Sequence, residues 1–119
     1  NVRTSDKLIV CEAEIDALSW QTAGYNAIAV GGVAFNRRQA DIIRTLPYTT
    51  IILAGDNDKA GNRFNEQASV TLRGERLAIA PYGSHTEKDA NLILTTHGVE
   101  ALRRIVECAE SMNSISVRI

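Results

Sequence analysis

The chain has 119 residues, 45% of them hydrophobic and 23% charged, the size and composition of one ordinary globular unit. Eight glycines and two prolines are too few for a collagen-like, linker or low-complexity chain, and a formal charge of −1 excludes a strongly basic nucleic-acid-binding module. No apolar run approaches the roughly 18 residues of a membrane span, and no signal peptide opens the sequence, so no membrane partner is expected.

Residues 7–11 (KLIVC) form a compact, β-branched apolar run and read as a buried strand. A helix is predicted over 14–23, with Ile15, Leu18 and Thr22 at helical spacing and Gly24 as its stop. Residues 27–30 give a second strand, ended by Gly31-Gly32. A second helix over 37–46 carries Ala40, Ile43 and Leu46 three apart and is closed by Pro47. Residues 49–54 (TTIILA) are the strongest strand and run directly into Asp56-Asn57-Asp58, after which a helix is predicted over 59–73. Gly74 ends that helix, and 76–80 form a fourth strand closed by Pro81. Asp89 is placed to cap a short helix over 90–96, broken by Gly98. Val99, Leu102, Val106 and Ala109 then mark one face of a last amphipathic helix. Residues 115–119 (ISVRI) alternate, and read as an edge strand or a stub entering a further domain.

Strand and helix alternate often enough to imply an open α/β fold of Rossmann-like type, a parallel sheet of about four strands with helices on both faces. No repeat or boundary divides residues 1–119, which read as one domain. With Asn1 in place of Met, the chain is expected to be a fragment of a longer protein. Cys11 and Cys108 offer no zinc spacing and no disulfide framework; both read as small buried hydrophobes of a cytoplasmic, reducing compartment.

In such sheets ligands bind beyond the carboxyl ends of the strands, where the strand order reverses. Two predicted strands end in acids, the first at Glu12 and the third at Asp56-Asn57-Asp58, and a 2-1-3-4 order makes them neighbours. Asp16 lies four residues after Glu12, one helical turn on. Carboxylates crowded in this way repel one another and raise each other's pKa unless a cation is present. Several hard oxygen ligands suit Mg²⁺ or Mn²⁺, which commonly join protein carboxylates to substrate phosphates. With Glu12, Asp16, Asp56, Asp58 and Asp89 in one site, nine acids remain against thirteen bases, a mildly basic body around an acidic pocket. Plainer readings stand beside this one: Asp58 and Asp89 as helix N-caps, Asp56 in an Asx-turn, Glu12 as a first-turn acid, and Asp16 on a solvated face.

The blocks LIVCEAEIDALS, IILAGDNDKAG and EKDANLIL, in this order and spacing, resemble the Toprim domain of DnaG-type and phage primases, the Glu-Ile-Asp-Ala-Leu form being closest to phage primase–helicases. The resemblance covers about three quarters of the chain and implies a Toprim fold and Mg²⁺- or Mn²⁺-dependent nucleotidyl transfer. The implied product is a short RNA primer on single-stranded DNA, made from nucleoside triphosphates. It implies that Glu12, Asp56 and Asp58 are catalytic, that Asp16 and Asp89 join them as metal ligands, and that Lys59 and Lys88 contact phosphate. It also implies a basic domain, a zinc-binding domain and a helicase as companions in the parent protein, with the isolated domain priming poorly. Ala13, Gly55 and Asn91 depart from the family pattern, which usually has glycine, a larger residue and sometimes an acid at those positions.

Other residues read more plainly. His85 is expected to be an exposed loop residue and His97 a helix-end cation, and Trp20 and Phe64 to pack helix against sheet. Tyr25, Tyr48 and Tyr82 fall in turns or at strand starts, so no topoisomerase-type nucleophile is evident. Rival readings are a Toprim nuclease or topoisomerase fragment, a receiver-type phosphoacceptor domain with Asp56 as acceptor, and a non-catalytic docking Toprim.

Overall fold

The computed structural model of the chain describes residues 6–31 and 36–118, with side chains up to residue 110. The elements in chain order are β1 (Lys7–Cys11), α1 (Glu14–Thr22), β2 (Asn26–Ala29), α2 (Arg37–Arg44), β3 (Thr50–Leu53), α3 (Lys59–Thr71), β4 (Leu77–Ile79), α4 (Ala90–His97) and α5 (Val99–Arg118). All strand pairings are parallel and the order is β2-β1-β3-β4, the order expected from the sequence.

The two central strands are buried along their whole length, which is why they read as unbroken apolar runs. Their side chains alternate between two cores. Ile9, Cys11, Ile52 and Ala54 face α1, α4 and α5, and pack with Trp20, Ile93, Leu102 and Val106. Leu8, Val10, Ile51 and Leu53 face α2 and α3, and pack with Ala40, Ile43, Phe64 and Leu72. Each fully buried Leu, Ile or Val among them contributes about 1.5–3 kcal/mol. Helices therefore cover both faces, and Trp20 and Phe64 join helix to sheet as expected.

Three expectations are corrected. In α1, Ile15 and Leu18 are 55% and 59% exposed, and the inward stripe is Asp16, Ala17, Ser19 and Trp20. The reason is local: Asp16 Oδ1 accepts from the Asn91 amide and Ser19 Oγ approaches Asn91 Oδ1, so polar residues fill the face turned towards α4. Second, residues 115–118 continue α5 and form no strand, while Ile119 lies outside the described residues. Continuing a helix satisfies each amide within the same segment, whereas a lone terminal strand must find a sheet edge. Third, only Cys11 is buried; α5 turns Leu102, Ile105, Val106 and Ala109 inward and leaves Cys108 exposed. Gly31 has a φ of 80°, which favours glycine there; Gly32 lies outside the described residues.

From β1 the chain crosses to β2 on one side, and β3 and β4 lie on the other. The switch point thus falls between the carboxyl ends of β1 and β3, the place where the acidic residues follow their strands.

Candidate functional site

Four acids approach one another from three segments. Glu12 follows β1, in an extended turn whose Ala13 (φ −114°, ψ 146°) opens α1 without a side-chain cap. Asp16 lies in the first turn of α1 and is 3% exposed. Because α1 begins after Glu12, these two acids meet across a turn and not as neighbours on one helix. Asp56 follows β3, and Asp89 is the N-cap of α4. One carboxylate oxygen each from Asp16, Asp56 and Asp89 lie within 4.8 Å of one another. Glu12 Oε1 accepts from the Asp56 amide at 3.4 Å, so Glu12 borders the trio through the Asp56 backbone.

Two acids also act as helix caps. Asp58 Oδ1 accepts from the Gly61 amide at 2.7 Å, and Asp89 Oδ1 from the Leu92 amide at 2.9 Å. A carboxylate has two oxygens, so capping through one leaves the other able to face a ligand. Lys59 opens α3 and Lys88 immediately precedes Asp89; both are exposed.

The backbone beneath the acids is tightly built. A Cβ on Gly61 would strike the Asp56 carbonyl oxygen, and one on Gly55 would strike the carbonyl of Gly61. Glycine is therefore required at both positions for close approach of the β3–α3 turn to α3. The departure of Gly55 from the larger residue usual in the family thus matches this close approach. Asn65, buried in α3, accepts the Gly55 amide at 2.8 Å, and Tyr82 Oη donates to the Gly55 carbonyl at 2.9 Å. Asn57 ties this turn to the loop before α4: its amide donates to the Lys88 carbonyl at 2.6 Å. Its Nδ2 donates to the carbonyls of His85 (2.9 Å) and Glu87 (3.1 Å). Asn57, Asn65 and Tyr82 escaped sequence reasoning. Only the Ala-Gly after the acids and the 61/65 helical spacing hinted at a close approach.

The crowding has the electrostatic result expected of it. Asp56 is pushed up to about 6, by burial first and then by Asp16, Glu12, Asp89 and Asp58. Burial also raises Asp16, with Asp89 and Glu12 adding to it, against the pull of the Asn91 amide. Beneath them the Cys11 thiol is pushed up to about 12 by burial and by the carboxylates, which makes it an inert core residue. A partly buried, mutually repelling set of carboxylate oxygens fits a hard divalent cation and is expensive without one.

Comparison with known proteins follows the same residues. A family model described as Toprim-like matches residues 9–94. A DNA primase of Campylobacter jejuni is 39% identical over 78 residues, which cover 65% of this chain and 13% of that protein. Among solved structures, the primase fragment of the bacteriophage T7 primase-helicase protein superposes with a TM-score of 0.69 at 26% identity. That match covers 86% of this chain and 44% of the T7 fragment. The zinc-binding and RNA polymerase domains of the Aquifex aeolicus primase share the fold, with a TM-score of 0.73 at 23% identity, covering 87% of this chain and 26% of that one. The chain thus spans less than half of each of these primases.

Proposed function

The chain belongs to the Toprim-like family, and on that premise we propose that residues 1–119 are the catalytic Toprim unit of a DNA primase, joining ribonucleotides into a primer on single-stranded DNA. The observation that carries this reading is the meeting of Asp16, Asp56 and Asp89 at the β1/β3 switch point, with Glu12 against the Asp56 amide.

In this reading Glu12, Asp16, Asp56, Asp58 and Asp89 hold one or two Mg²⁺ or Mn²⁺ ions. Bound there, such ions supply activation of the attacking 3′-hydroxyl and neutralisation of the triphosphate. The protein's own part is positioning. Asn91 orients Asp16 through its amide, and the Asp56 amide orients Glu12. Asn57 keeps the Asp89 segment in register with the Asp56 segment, so acids from separate loops stay together as charge develops. Lys59 and Lys88, both exposed, meet the phosphates of nucleotide or template. No protein nucleophile is needed for a direct displacement of this kind. Companion basic, zinc-binding and helicase domains supply template binding and translocation.

The test is template-directed incorporation of labelled ribonucleotides by the parent protein on single-stranded DNA with Mg²⁺ or Mn²⁺. Asp56→Asn should abolish incorporation while leaving the circular dichroism spectrum unchanged. Primer synthesis retained at a comparable rate would overturn the assignment, and DNA cleavage in place of extension would move the chain to the nuclease or topoisomerase branch.

A further inference from the structure

Besides the aspartate trio, the loop before α4 and the last residue of α4 bring His85, Glu87 and His97 together. His85 Nδ1 lies 3.3 Å from Glu87 Oε1, and His97 Nε2 lies 3.1 Å from Glu87 Oε2. One donor atom from each of the three residues falls within 4.8 Å of the others, and the imidazole rings are tilted with centroids 5.3 Å apart. We propose that His85, Glu87 and His97 form a second cation site, for Zn²⁺ or another imidazole-seeking transition metal, which clips the loop before α4 to the end of that helix.

The geometry is close to what such an ion requires. Bond lengths of about 2.0–2.2 Å around a tetrahedral Zn²⁺ place neighbouring donors about 3.3 Å apart, and each imidazole nitrogen already has that separation from one Glu87 oxygen, His85 from Oε1 and His97 from Oε2. Bringing both nitrogens to one ion takes rotation of the Glu87 carboxylate and of the exposed His97 ring; His85, expected to be exposed, is half-buried. Glu87 is only 18% exposed, and its buried Oε1 faces His85 Nδ1 at 3.3 Å, longer than a good charge-assisted hydrogen bond. Two histidines and one carboxylate are also the donor set of a transition metal rather than of Mg²⁺, which prefers oxygen throughout. Three protein ligands leave a fourth position open to water or an anion.

The site has a structural consequence. Asn57 donates to the backbone carbonyls of both His85 and Glu87, and its amide donates to Lys88. Fixing His85 and Glu87 to His97 therefore stiffens the segment that carries Lys88 and Asp89, which Asn57 joins to the Asp56 turn. This inference does not depend on the reaction the aspartates perform.

The chain contains only two histidines, both in this cluster, so imidazole signals report on it alone. Zn²⁺ is titrated into untagged protein at pH 7.5, and the ring nitrogens are followed by NMR. His85 Nδ1 and His97 Nε2 should both move to metal-bound shifts, saturating at one equivalent. His97→Ala and Glu87→Gln should each weaken this binding more than about tenfold, while Asp56→Asn leaves it in place. X-ray absorption of the zinc-loaded wild type should count two imidazole ligands, a readout that needs no variant. Unmoved imidazole signals at one equivalent, a zinc spectrum without nitrogen neighbours, or shifts abolished by Asp56→Asn would overturn the proposal.

Discussion

Asp58 and Asp89 each cap a helix through one oxygen, and on the proposed function the other oxygen would meet a cation; substitution separates the two demands. Serine keeps an N-cap but removes the charge. Asp89→Ser is expected to hold unfolding stability within about 0.5 kcal/mol while lowering Mn²⁺ affinity at least tenfold; Asp89→Ala should lose about 1 kcal/mol more. Urea denaturation and calorimetric Mn²⁺ titration of the same proteins check both parts, and equal affinity in Asp89→Ser would remove Asp89 from the ligand set. Gly61→Ala acts on the frame and not on charge. Its Cβ has no room beside the Asp56 carbonyl, so the β3–α3 turn must shift, with an expected loss of about 2 kcal/mol and of Mn²⁺ binding together. The acids were legible in the sequence because a carboxylate's charge announces its chemistry wherever it sits. Asn57, Asn65 and Tyr82 were not legible, since each acts on backbone groups that folding alone brings within reach: Lys88 and Gly55 lie 31 and 10 residues from Asn57 and Asn65.

At the level of elements, the buried strands were legible because both faces of β1 and β3 are covered, leaving polar residues only at their first positions, Lys7 and Thr50. The wrong face of α1 was read for a reason of the same kind. Apolar spacing identifies a core stripe only when the core side is apolar, and α1 spends part of that side on Asp16 and Ser19. Two substitutions on this helix show which face bears the packing. Leu18→Gln, on an exposed position, should change stability by less than about 0.5 kcal/mol. Trp20→Ala, at 0% exposure, should cost about 3–5 kcal/mol. Chemical denaturation decides the matter, and comparable losses at both positions would contradict the orientation of α1. Residues 115–118 show the converse error: two-residue alternation was present, but the preceding helix simply continued through it.

Across the whole molecule, a formal charge of −1 conceals a concentration of acids at one sheet edge, and the consequence is a linked response to pH and metal. In the metal-free chain Asp56 binds its proton more tightly when folded, at about 6 against an ordinary 3.8, and Asp16 is shifted in the same direction. A carboxyl raised by folding contributes its full stability below the unfolded value, and that contribution is lost as pH rises through the folded value. Metal-free stability should therefore carry a component that declines between about pH 4 and pH 6; for Asp56 it is about 1 kcal/mol after discounting for solvent screening. On the proposed function a divalent cation would bind the deprotonated set, so stabilisation by Mn²⁺ should grow over the same interval, reaching about 2.7 kcal/mol when the ion is present at a hundred times its dissociation constant. Asp56→Asn should flatten the metal-free decline and remove most of the gain from Mn²⁺, leaving a variant more stable than the parent at pH 7 without metal and less stable with it. Thermal unfolding across pH 4–8, with Mn²⁺ and with chelator, gives all four curves. A crossing of parent and variant is the expected result, and parallel curves would mean that Asp56 neither carries the raised pKa nor binds the ion.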